Sequence, residues 1–138
     1  IILASVDFAE IEALQKLGDW DAAAALLARE AKGVERAGAE FLLICTNTMH
    51  NVAPQIQASI NIPLLHIADA TADVLVADGV RRVGLIGTRF TMEQPFYRRK
   101  IEARGLKVLV PDEPDRPARH RGGAREHVAQ TRDPEGRR

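Results

Sequence analysis

Short apolar runs with no internal alternation recur along this chain, each followed after a brief turn by a segment of helical periodicity. That rhythm constrains the fold more than any other feature. Residues 41–45 (Phe-Leu-Leu-Ile-Cys) have no polar member, so they read as a strand buried on both faces. Residues 1–5 and 62–67 are further short apolar runs of strand length, and 82–87 and 106–110 read as two more strands. Between them, Asp7 can cap a helix carrying Phe8, Ile11, Leu14 and Leu17, which Gly18 ends. Asp19 opens an alanine-rich helix with Leu26, Leu27, Ala31 and Val34 as its apolar stripe, closed by Gly38. A helix of about two turns runs to Ser59. Asp69 caps a helix over residues 70–78, and another helix is expected over 92–104. Strand-helix alternation through short connections predicts an α/β fold, a parallel sheet covered by helices.

The expected organisation is a first α/β domain over residues 1–79 and the beginning of a second over 80–116. Residues 117–138 are expected to form a solvated tail. From Pro111 onward the chain holds four of its seven prolines and seven arginines, and Val128 is its only large aliphatic residue. Such a segment buries too little apolar surface to offset its ordering entropy.

Composition removes several function classes. The formal net charge is zero over 138 residues, which gives no electrostatic footprint for nucleic acid or an acidic membrane. The single cysteine, Cys45, excludes an internal disulfide and a four-cysteine zinc cage. No His/Asp/Glu cluster has metal-ligand spacing, so no metal is expected. No apolar run reaches the roughly 18–20 residues of a membrane span, and the expected location is the cytoplasm.

In parallel sheets, ligands gather beyond the carboxyl ends of the strands. Three places qualify: after Cys45, after Ile67 and after Ile86. The first carries Thr46-Asn47-Thr48-Met49-His50, hydroxyl and amide groups at a helix start where free N–H groups favour a carboxylate. The plain alternative is that Asn47 or Thr48 only caps the helix. The third carries Gly87-Thr88-Arg89-Phe90-Thr91, a second hydroxyl-bearing turn, for which the plain alternative is a βα turn with Thr91 as N-cap. It is no dinucleotide fingerprint, because the third glycine is missing. His50 and His66 lie near strand ends, and each reads first as a structural histidine.

Four segments together resemble the aspartate/glutamate racemase family: residues 5–12 (Ser-Val-Asp-Phe-Ala-Glu-Ile-Glu), 45–50 (Cys-Thr-Asn-Thr-Met-His), 65–71 (Leu-His-Ile-Ala-Asp-Ala-Thr) and 87–94 (Gly-Thr-Arg-Phe-Thr-Met-Glu-Gln). The resemblance spans about residues 1–116 and is closest to the branch of broad-specificity acidic amino-acid racemases. It implies two similar α/β domains with the site in a cleft between them, two acid/base residues on opposite faces of the substrate α-carbon, and no cofactor. It also implies an acidic amino acid as the small-molecule partner and, in full-length form, a homodimer.

Carried over residue by residue, the resemblance makes Thr46 the first acid/base residue, with Cys45 the alternative if the alignment slips by one. Asn47 and Thr48 become substrate contacts, with Gln15 reaching in from the first helix and Thr88 and Thr91 contributing from the second domain. The sequence departs from the family pattern in four respects. Thr stands at the first acid/base position, as it does in the branch resembled. No Gly-Cys-Thr occurs, so the second acid/base cysteine has no counterpart. The family's opening strand and its Gly-rich loop have no counterpart before Ile1. After residue 116 an amphipathic helix gives way to arginine, glycine and proline, as a shift of reading frame in a GC-rich gene would produce. The expectation is therefore an Asp/Glu racemase fragment that is inactive alone. A non-catalytic remnant or dicarboxylate-binding module, or a relative such as a hydantoin racemase or maleate isomerase, is the competing expectation.

Overall fold

The computed structural model describes residues 1–112 and 127–129. They fall into two compact units, Ile1–His66 and Ile67–Arg138. In the first unit, helix α1 (Phe8–Leu17) starts at Asp7, whose carboxylate accepts from the Ala9 N–H at 2.9 Å. It ends at Gly18, where φ of 72° demands a residue without Cβ strain. Asp19 caps α2 (Trp20–Arg36) by accepting from the Ala22 N–H at 3.0 Å. Both caps are as the sequence predicts.

The expected apolar face of α1 is corrected. Ile11 is buried, but Phe8 and Leu17 are exposed. At about 100° per residue, a position six residues beyond Ile11 lies about 120° around the helix, off the face that meets α2. On α2, Ala23, Ala24, Leu26, Ala31 and Val34 are buried. Its small side chains allow Val52, Ile56 and Ile60 to pack closely against Ala24 and Ala31.

The run 41–45 is not buried on both faces. Leu42 and Ile44 pack into the core around Val52 and Ile56, while Phe41, Leu43 and Cys45 are exposed. It pairs through one parallel bridge, Leu42 to Leu64, with N–H···O distances of 2.9 Å on each side. Residues 1–5 form no strand, and Ile1, Ile2 and Leu3 are exposed. An apolar run supplies only half of a strand; its N–H and C=O groups need a paired neighbour.

Two side chains do the work of a missing ladder around Leu64. Glu35 accepts from the N–H groups of Asn61 and Ile62 at 2.7 and 3.2 Å. Gln57 donates to the Ile62 carbonyl at 3.0 Å and accepts from the Leu64 N–H at 2.7 Å. The helix expected after Thr48 is a 3-10 turn (Thr48–Val52) running into α3 (Ala53–Ala58). Pro54 sits in the first turn of α3, where its missing N–H costs nothing.

The second unit begins with α4 (Ile67–Ala77), three residues earlier than predicted. Asp69 therefore lies inside the first turn rather than at the cap. It pairs instead with Lys100 at 2.6 Å. Strand β1 (Arg82–Ile86) pairs in parallel with β2 (Lys107–Leu109), Val83 opposite Val108. Between them the single helix expected over 92–104 is two, α5 (Arg89–Glu93) and α6 (Pro95–Glu102). Gln94 is extended, with ψ of 144°, the geometry that the ring of Pro95 favours in the residue before it.

Ala68, Ala72 and Leu75 of α4, Val83 and Leu85 of β1, Tyr97 and Ile101 of α6, and Leu106 and Val108 form one core. Strand β3 (His127–Ala129) adds to β1 on its other edge, antiparallel, giving the order β2-β1-β3. Those three residues come from the segment expected to be an unstructured tail. The rest of that expectation, for 117–126 and 130–138, lies outside the described residues. The α/β character and the parallel pairing stand as predicted.

Candidate functional site

The core of the first unit presents the carboxyl ends of two bridged segments side by side. Beyond the Leu42 bridge the chain runs through Cys45 to Thr46, Asn47 and Thr48; beyond the Leu64 bridge it runs to His66. The alternation set by Leu42 and Ile44 puts Cys45 on the exposed side with Phe41 and Leu43. Thr46 is exposed, Asn47 is half-buried and Thr48 is buried. Within three residues the chain passes from solvent into the core, so its polar groups stand at a boundary.

Asn47 Oδ1 is buried and has no hydrogen-bond partner among the described residues. A buried acceptor left this way costs on the order of 1–3 kcal/mol. It is chemically suited to a ligand that brings a donor. The Asn47 backbone carbonyl accepts from the His50 N–H at 3.1 Å, which opens the 3-10 turn.

Gln15 arrives from α1. Its amide Nε2 donates to the Met49 sulfur at 3.9 Å, a weak contact that ties the helix to this segment from behind. Met49 itself is buried with Ile11 and Leu26. Thus Gln15, Asn47, Thr48 and Met49 are gathered in one region, while the exposed Thr46 and Cys45 stand at its outer edge. The Met49 contact is invisible to motif reading. Its signal is the apolar position between two polar ones, which anchors the segment by burial.

In the second unit, Thr88 and Thr91 are brought together. Thr88 is the N-cap of α5, and its Oγ1 accepts from the Thr91 N–H at 3.3 Å. The two hydroxyl oxygens are 3.1 Å apart. The plain alternative put the cap at Thr91; the structure puts it at Thr88, with Thr91 buried in the following turn. Arg89 pairs with Glu93 one turn on, at 2.7 Å. Among the described residues, no group of three or more His, Cys, Asp or Glu could hold a metal ion. No helix among them is long and apolar enough to cross a membrane.

Comparison with known proteins follows the same lines. The family model of the Asp/Glu/hydantoin racemases matches residues 1–135. The broad-specificity amino-acid racemase RacX of Bacillus subtilis strain 168 is 27% identical over 79 residues, which is 57% of this chain and 34% of RacX. A crystal structure from Yersinia pestis assigned to an Asp/Glu racemase superposes with a TM-score of 0.80 at 55% identity, covering 84% of this chain and 51% of that one. An aspartate racemase homologue from Pyrococcus horikoshii OT3 superposes with a TM-score of 0.74 at 37% identity, covering 83% and 50%. The chain thus spans about a third of that curated relative and about half of each solved one.

Proposed function

This chain belongs to the Asp/Glu/hydantoin racemase family, and from that premise we propose that the complete protein racemises acidic amino acids without a cofactor, this chain supplying one half of the site. The observation that carries the reading is the Thr46–Thr48 segment. An exposed hydroxyl, a buried amide oxygen with no partner among the described residues, and a buried hydroxyl follow one another where two bridged segments end.

The chemical obstacle is the weak acidity of a Cα–H beside a carboxylate. A carbanion formed there needs hydrogen bonds and dipoles that are already in place. In this reading Asn47 and Thr48 hold the substrate, with Gln15 beside them. Thr46 carries the proton on one face of the α-carbon, and an acid/base group on the other face completes the exchange. An aliphatic hydroxyl is a poor lone base, so the two directions of racemisation are expected to be chemically unequal. Cys45 is the alternative proton carrier, one residue earlier and also exposed.

The 138 residues contain no Gly-Cys-Thr and no cysteine besides Cys45. That supports the second reading, in which the chain alone binds a dicarboxylate without turnover. The test is incorporation of deuterium at the α-carbon of L-aspartate and L-glutamate in deuterated water. The complete protein should exchange, its Thr46→Ala variant should lose at least about a hundredfold in rate, Cys45→Ala should stay near the parent, and the 138-residue chain alone should not exchange. No exchange by the complete protein, across a panel of acidic and neutral amino acids and hydantoins, rejects the first reading. Dicarboxylate binding without exchange supports the second.

A further inference from the structure

Two imidazole rings lie behind the Thr46–Thr48 segment. His50 is 1% exposed and His66 is 8% exposed. Their ring centroids are 4.3 Å apart with planes inclined at 59°. His50 follows the segment that carries Leu42, and His66 follows Leu64, so the rings meet at the carboxyl ends of the two bridged segments. The Nδ1 of His50 is 2.7 Å from the Thr46 carbonyl oxygen. A carbonyl oxygen can only accept, so this contact requires the proton on Nδ1. Burial and the neighbouring ring leave His50 little freedom to turn away.

We propose that His50 is a positioning residue, which grips the Thr46 carbonyl and so fixes the peptide plane between Thr46 and Asn47. Thr46 is exposed and lies outside any strand or helix, where the backbone has no ladder to hold it. Fixing that plane sets the direction of the Asn47 N–H and the point from which both side chains depart. Misplacing reacting groups by about 1 Å can cost about a hundredfold in rate, so such a grip matters to a site that works by placement. The proposal rests on reading Thr46–Thr48 as substrate contacts. His66 braces the ring.

The experiment uses the whole 138-residue chain with ¹⁵N-labelled backbone and imidazoles. Long-range proton–nitrogen correlation should show the His50 Nδ1 carrying hydrogen. Two variants then separate gripping from filling. His50→Asn places an amide donor near the position of Nδ1, whereas His50→Leu fills the space without a donor. The Asn variant should keep the Thr46, Asn47 and Thr48 amide signals and bind L-aspartate within about twofold of the parent, while the Leu variant should displace those signals and bind about tenfold more weakly.

A purely space-filling role predicts the reverse order. A hydrogen-free Nδ1 in the parent, or a Leu variant with unmoved Thr46–Thr48 signals, overturns the proposal. Should the Leu variant fail to fold, the Nδ1 proton and the Asn variant decide. If the parent gives no response to L-aspartate, the substrate-contact reading falls, and the Nδ1 proton and the amide signals still judge the grip.

Discussion

Asn47 sets stability against binding within one side chain. Its Oδ1 is buried without a partner among the described residues, and burying an acceptor in that way costs the folded state. Replacing it by alanine removes the cost together with the contact. Asn47→Ala is expected to melt no lower than the parent, and up to about 1 kcal/mol more stable, while binding L-aspartate about tenfold more weakly. Thermal unfolding beside calorimetric titration measures both. A variant that is destabilised with unchanged affinity would assign Asn47 to structure alone. Much of this neighbourhood was legible beforehand. Polar side chains after an apolar run point to Thr46, Asn47 and Thr48 by residue type. What residue type cannot show is depth. Thr46 and Thr48 are alike in chemistry, yet one is exposed and the other buried. Nor could it show that Gln15 would meet Met49, because that contact depends on how α1 packs.

At the scale of elements, local signals are legible in the sequence and pairwise ones are not. Asp7, Gly18 and Asp19 act through their own backbone neighbours, and the structure has each where its chemistry predicts. An apolar run such as 1–5 or 41–45 does not reveal its own pairing, because a strand is defined by its partner and a partner is remote in sequence. The roles of Glu35 and Gln57 are hidden in the sequence for the same reason, since each fastens a segment that composition cannot connect to it. The break between α5 and α6 was legible in principle. Gln94-Pro95 marks a helix boundary by the restriction a proline ring imposes on the residue before it. Pro95→Ala tests whether the ring alone makes the break. With Thr88 capping the start of α5 and buried Tyr97 anchoring α6, the break should persist. Stability should fall by at most about 1 kcal/mol, mainly through a freer unfolded chain. Amide contacts running continuously from residue 89 to 102 in the variant would show that the ring was the sole cause.

At the scale of the molecule, each unit has its own core and its own weak places. In the second, Val83, Leu85, Tyr97 and Ile101 are buried almost completely beside a parallel ladder. In the first, Ala23, Ala31, Val52 and Ile56 are buried, but among the described residues the segments of Leu42 and Leu64 pair through a single bridge. Native-state hydrogen exchange should therefore find slow amides at Val83, Leu85 and Ile101 and along the middle of α2, with rapid exchange at 1–6 and at Leu43. Uniform protection from residue 1 to residue 6 would contradict this division. The family relation and the α/β architecture belong to this scale, and they were the most legible of all. They depend on many residues acting together, so no single misjudged contact could hide them. The activity of the complete protein is a different matter, because the chain spans about half of its solved relatives.

The proposed function requires a carboxylate-gripping half-site at the ends of the Leu42 and Leu64 segments. Titration of the ¹⁵N-labelled chain with L-aspartate, followed amide by amide, tests it most directly. The largest and saturable shifts should fall on Thr46, Asn47 and Thr48, with a smaller response in the Gln15 side-chain amide. Saturable shifts centred elsewhere, with those three amides unmoved, would contradict it.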